Sequence, residues 1–353
     1  MDPISAQSVL AAAGAGGGEY SGDVAVVHFG SPYVTAYPWD SSGFGTKYAD
    51  PSTLPAGNTF GVEFSTDGSA LAVGGFNNSS FAGDINVYAW NSGFGSKYAD
   101  PSTIPSSTVR GVHFSPDGNN IALSHGGSPY ISVYSWSSSG FGSKYSNPST
   151  LPSGTGRDVK FSDDGNYIAV AHDGSPYITV YPWSSGFGSK YSNPSTLPGN
   201  NAQSLAFSPD TDAIVVTFGV SPRVLAYPWS SSGFGSAYSN PSTLPGSVGL
   251  SSRFSPDGSA LAIGHAASPE YLNVYAWSSG WGAKYSDPSS LPGNSCYGVA
   301  FTPDGANVAV AMSGTPYIAA YEWDSSSGFG SKYANPSTLP AGFSSYLAFS
   351  PDN

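Results

Sequence analysis

A carboxylate, an imidazole and an amine stand at Glu63, His113 and Lys160, and Arg253 adds a guanidinium further along the chain. Such groups can move a proton and hold developing negative charge, the two tasks of acid–base catalysis. A second set repeats one residue type, His28, His125, His172 and His265, and imidazole invites a metal ion. A third set is mixed: Phe60, Arg110, Arg157, Gln203, Leu250 and Tyr297 combine the aromatic and Arg side chains that anchor protein or sugar recognition. What any of them can do depends on the elements that bring them together.

Those elements repeat. The stretch GFGSKYSNPSTLP runs from Gly140 to Pro152 and returns unchanged from Gly186 to Pro198, with variants beginning at Gly43, Gly93, Gly233, Gly280 and Gly328. Each copy follows a Trp (39, 90, 136, 183, 229, 277, 323), spaced by 51, 46, 47, 46, 48 and 46 residues. A period in this range signals a repeat architecture. Within one unit, RDVKF, YIAVAH and YITVYPW alternate with the turn signals SDDG and DGSP, which predicts three antiparallel strands joined by hairpins. FGSKY supplies a fourth, outermost strand guarded by Gly, Lys and Pro, and SNPSTLP returns the chain to the next unit.

Strands such as IAVAH are apolar on both faces, so both faces of each sheet need cover. Seven four-stranded antiparallel units packed around an axis provide it: an all-β, seven-bladed β-propeller. The chain ends in YLAFSPDN, a first strand, and begins after its lead with a second and third, so the two ends are expected to share one blade and close the ring. Residues 1–22 then form a flexible or short helical lead, and residues 23–353 the propeller.

Near-identical repeats make variable positions informative. The third set above lies one per blade where the return loop enters the first strand. Glu63, His113, Lys160 and Arg253 lie one per blade just before the strand's Phe, facing the channel. The loop from Gly75 to Asp84 adds Phe76 and Phe81 to the same face, and others add Asp173 and Glu270. The four histidines share one position on separate blades, where the remaining blades carry Gly75, Phe218 and Met312. No compact ligand set follows, so each is read as a structural hydrogen-bonding group, with no metal and no cofactor expected. The turn aspartates are read as turn formers, one carboxylate per turn being far short of a calcium shell.

The run VHFSPDGNNIALSHGGSPYISVYSW, Val112 to Trp136, resembles a WD40 repeat, and the resemblance covers residues 23–353. It departs in lacking the Gly-His pair before the first strand and in showing Trp-Asp only at Trp39-Asp40 and Trp323-Asp324. The wording GFGTKYADPSTLP is similar to recently amplified prokaryotic propellers of tailed-phage structural proteins, and this likeness implies a virion component.

Composition narrows the partners. Net charge is −12 and only 10% of residues are charged, with 11 Lys and Arg. Six of these (Lys47, Lys97, Lys144, Lys190, Lys284, Lys332) share one repeat position and form no patch, so nucleic acid and anionic membrane surfaces are not expected partners. The N-terminus lacks the pattern of a signal peptide and no stretch is long enough to span a bilayer, so membrane insertion is not expected either. The single Cys296 excludes an intrachain disulfide. No nucleophile elbow, HExxH or phosphate-binding loop is present. The reading is a non-enzymatic binding or structural module: a virion protein that docks through residues 1–22 and contacts a host-surface glycan or protein. The alternatives are a cytoplasmic interaction scaffold and a carbohydrate-binding or glycosidase-type propeller.

Overall fold

The computed structural model describes residues 20–351, and the expectation for the lead falls almost wholly outside them. All regular structure among the described residues is strand, arranged as seven antiparallel sheets. The innermost strands are Thr59–Phe64, Val109–Phe114, Gly156–Phe161, Ala202–Phe207, Gly249–Phe254, Cys296–Phe301 and Ser344–Phe349. Each packs beside the next around the axis. We number the blades 1 to 7 in that order. In blade 7, Ser344–Phe349 pairs antiparallel with Gly22–His28, which pairs in turn with Val34–Asp40. Tyr20 is buried there, its hydroxyl donating to the Ser350 carbonyl at 2.8 Å.

The first hairpin is made by its sequence. In blade 1 Ser65 donates to Asp67 at 2.6 Å, Asp67 accepts the Ser69 N–H at 3.1 Å, and Gly68 takes φ 70°. That is an Asx-type turn closed by a residue free to adopt positive φ. Asp117, Asp164, Asp210, Asp257 and Asp304 accept from the same Ser or Thr position in their own turns.

The core lies between blades. Ala70, Ala72, Ile85 and Val87 of blade 1 pack on Val112, Phe114, Ile121, Tyr134 and Trp136 of blade 2, and the pattern recurs round the ring. The invariant outer stretch belongs to this packing. Its Phe meets its own blade's Trp edge-on, as Phe141 does Trp136 at 5.2 Å, and its Tyr meets the Trp of the following blade, as Tyr98 does Trp136 at 5.1 Å. Every blade carries that second contact, so each outer segment stitches two blades together.

The outermost strand is shorter than FGSKY implies. It runs four or five residues in blades 1, 2, 5 and 6 but only Gly43–Phe44 and Gly233–Phe234 in blades 7 and 4, and a lone Trp183–Phe187 bridge in blade 3. Those three blades carry Pro38, Pro228 and Pro182 before the Trp, where the others carry Ala89, Ser135, Ala276 and Glu322. Proline has no N–H to give the ladder, so pairing stops where the next bond is due.

Candidate functional site: two chambers of the central channel

Every innermost strand enters its blade through a β-bulge at one position. In blade 1 Thr59 faces Gly75 and Gly61 faces Gly74, which leaves Phe60 as the extra residue. Arg110, Arg157, Gln203, Leu250, Tyr297 and Ser345 are skipped in the same way. A bulge re-aims its side chain. Phe60, Arg110, Arg157, Gln203, Leu250 and Tyr297 all line a single chamber of about 420 Å³ at this mouth of the channel.

One wall of this chamber is aromatic. Tyr297 meets Phe343 at 4.5 Å, Phe343 stacks on Phe29 at 4.5 Å, and Phe29 meets Phe60 at 5.1 Å. Phe76 stacks on Phe60 and Phe81 on Phe76, extending the arc outward to Phe81, which is 73% exposed. Sequence reading missed Phe29 and Phe343. Phe29 holds the repeat position of Phe76 and Asp173, and Phe343 is the aromatic among Asn58, Thr108, Thr155, Asn201, Val248 and Ser295, so comparing units position by position identifies both. The segment predicted as a loop from Gly75 to Asp84 is shorter, because Gly75 pairs with Asp84 and Phe76 with Gly83.

The wall beside it is cationic. Arg110 lies over the Phe60 ring at 5.1 Å, and burial first, then neighbouring Arg157, lower its pKa from the ordinary arginine value. Arg157 holds Asp173 with two bonds, of 2.5 and 3.3 Å, and gives a third of 3.3 Å to Gln203. Asp173 thus serves the chamber through Arg157. Glu270 does not reach it; it accepts from Asn273 at 3.0 Å within its own hairpin.

Glu63, His113, Lys160 and Arg253 line a second chamber, of about 430 Å³, toward the other mouth, where Ala206, Ala300 and Ala348 fill the equivalent positions of the other blades. Arg253 Nη2 stands 3.7 Å from Glu63 Oε2, which has no hydrogen-bond partner. His113 Nδ1 accepts the Phe161 N–H at 3.2 Å, which assigns the proton to Nε2. Burial first, then the charges of Lys160 and Arg253, hold this imidazole neutral, well below its usual pKa. Asp163 joins them from the turn, where most blades carry Pro. Asp163 is exposed at this mouth, yet desolvation by the protein around it raises its carboxyl to about 6, against the pull of Arg253.

Lys160 lines both chambers. It is buried, 3.5 Å from Asp158 and 5.6 Å from the Tyr346 ring centroid. Burial opposes its charge, but Asp158, Tyr346 and Glu63 outweigh that and hold it protonated.

The four repeat histidines lie away from the channel, buried inside their blades. His28 Nε2 bonds Thr35 at 2.9 Å, His125 Ser132 at 3.0 Å and His172 Thr179 at 2.9 Å, while His265 Nδ1 accepts the Ala267 N–H at 3.2 Å. Among the described residues no three His, Cys, Asp or Glu converge as metal ligands, and no helix is long and apolar enough to cross a membrane.

No family model matches the chain, and no curated relative does. Its fold does match solved structures. The periplasmic gluconolactonase PpgL of Pseudomonas aeruginosa superposes with a TM-score of 0.74 at 19% identity, over 94% of this chain and 100% of that one. A candidate 6-phosphogluconolactonase from Bacteroides fragilis does so with 0.74 at 15%, over 94% and 98%. The β-propeller domain of Myceliophteria thermophila Cps50 (Swd1), a WD40-like neighbour, gives 0.55 at 13%, over 80% and 90%. These likenesses correct the expectation of a non-enzymatic virion or host-attachment module. Of these three, the two that share the fold end to end are named as lactonases, one of them as a candidate, and none as a phage structural protein. The chain is similar to these proteins in being a seven-bladed β-propeller of four-stranded antiparallel blades.

Proposed function

We propose that the chain is a hydrolase-type propeller that opens a small sugar lactone in the chamber of Glu63, His113, Lys160, Asp163 and Arg253. One observation carries the reading: a fold shared end to end with gluconolactonases places two carboxylates, a neutral imidazole and two cations around one cavity of about 430 Å³. Lactone hydrolysis adds water to the ester carbonyl, places negative charge on the carbonyl oxygen, and releases the ring oxygen with a proton to give a hydroxy acid. Asp163, with a pKa near 6, is suited to take the proton from water at neutral pH. His113 Nε2–H and the Arg253 guanidinium are donors for the oxyanion, and Glu63 positions Arg253 across the channel.

The test is hydrolysis of glucono-δ-lactone and of its 6-phosphate, followed by pH-stat against the spontaneous rate. Asp163→Asn and Arg253→Gln are each expected to lower kcat/KM by about a hundredfold or more, with folding retained. Hydrolysis no faster than the spontaneous rate, or acceleration untouched by both substitutions, overturns the proposal.

A further inference from the structure

Outside the six outer lysines the chain has five cations, Arg110, Arg157, Lys160, Arg223 and Arg253, and four of them line the central channel of a protein whose net charge is −12. Three belong to the bulge-lined mouth chamber, where Asp158 is the one lining carboxylate among the described residues. Asp158 is already engaged, by Lys160, Ser204 and two backbone N–H groups, and Arg157 is engaged by Asp173. Arg110 differs: among the described residues it makes no ion pair, its Nε has no hydrogen-bond partner, and its guanidinium sits over the Phe60 ring. A guanidinium fixed on an aromatic face keeps its outer edge for an oxyanion. The wall beside it is aromatic, with Phe29 stacked on Phe343 and set edge-on to Phe60, and Tyr297 edge-on to Phe343. A chamber of about 420 Å³ is the size of a small-molecule site.

We propose that this mouth chamber is a second binding site, for a small molecule that carries one oxyanion group on a flat ring. The oxyanion meets Arg110, and the ring lies on the aromatic wall. A cationic pocket in an acidic protein draws such anions from solution, because its field is focused by the surrounding walls. The site lies at the opposite mouth from the chamber assigned to hydrolysis and stands without that assignment.

The experiment is isothermal titration calorimetry of the full chain with two ring-bearing oxyanions, phenyl phosphate and 4-hydroxybenzoate. Inorganic phosphate and benzyl alcohol serve as the two halves. At least one ring-bearing anion is expected to bind one to one, about tenfold or more tighter than either half. Arg110→Gln is expected to weaken it by about tenfold or more, as loss of a charge-assisted hydrogen bond implies. Arg110→Lys, which keeps charge but loses the forked donors of the guanidinium, is expected to fall between the two, and unfolding of both variants is read from their thermal transitions. Binding by the phosphate arm alone or the carboxylate arm alone supports the site and names its anion. Failure of both arms, inorganic phosphate binding as tightly as phenyl phosphate, or full affinity in folded Arg110→Gln or Arg110→Lys overturns it.

Discussion

Asp158 shows how much one residue can hold. Its Oδ1 accepts the Val159 N–H at 2.9 Å, its Oδ2 accepts Ser204 Oγ at 3.0 Å and the Leu205 N–H at 3.2 Å, and Lys160 stands 3.5 Å away. Both charges are nearly buried, at 5% and 4% exposure. Removing either partner of such a pair is unequal in effect. Asp158→Ala leaves an ammonium buried without its nearest counter-charge and is expected to cost about 3–5 kcal/mol. Lys160→Met leaves Asp158 its three hydrogen bonds and is expected to cost less. Urea unfolding of the two variants decides it; an Asp158→Ala protein within about 1 kcal/mol of wild type removes the argument. The residue escaped sequence reading for a physical reason. Its repeat position carries Gly61, Gly111, Ser204, Ser251 and Gly298, with Tyr346 the exception in blade 7; these small residues read as backbone spacing, and in blades 1 and 2 they are that. A Cβ on Gly61 would meet the Arg110 carbonyl at 2.8 Å.

Among the elements, the three inner strands of each blade were legible from apolar runs and Ser-Pro-Asp-Gly turns, and the outer strand was only half legible. FGSKY is the same in blade 2 and blade 3, yet it is five residues of strand in one and a single bridge in the other. The difference lies in the partner, Ser135 against Pro182, so a strand's own sequence does not contain it. Pro182→Ala restores the missing N–H. It is expected to extend blade 3's outer strand toward Lys190, with the new N–H at position 182 donating to that strand and exchanging as slowly as the Ser135 N–H of blade 2. The change in stability is expected to stay within about 1 kcal/mol, since the new ladder bond is offset by a freer unfolded chain. Fast exchange of the new amide at position 182 refutes the account. The bulges were illegible for a related reason. Register belongs to a pair of strands, and the variable residue was located by comparing repeats while the device that turns it into the chamber was not.

At the scale of the molecule, the seven-fold ring and its blade count followed from the Trp spacing, and the ring also multiplies a single-residue property. All five histidines, His28, His113, His125, His172 and His265, are held neutral inside the fold, four of them with pKa lowered to about 4 by burial. Unfolded, each returns to its ordinary value near 6.5. Between those values the unfolded chain binds more protons than the folded one, so stability falls as pH falls from about 6.5 to 4 and is fully present above that window. Asp163 acts with the opposite sign, because its raised pKa makes the folded state the better proton binder below about 6. It is one group against five. At pH 5 each of the four histidines near 4 removes about 2 kcal/mol, a sum comparable with the whole stability of a typical domain. Urea unfolding from pH 7.5 to 4.5 is therefore expected to show stability dropping with a slope of several protons. Replacing His172 by Met, the residue blade 6 carries at that position as Met312, is expected to reduce the slope by about one proton. Stability that is flat from pH 7 to 5 would mean that the histidines gain charge without opening their blades. Their bonds to Thr35, Ser132 and Thr179 would then have to hold an imidazolium as well as they hold the neutral ring.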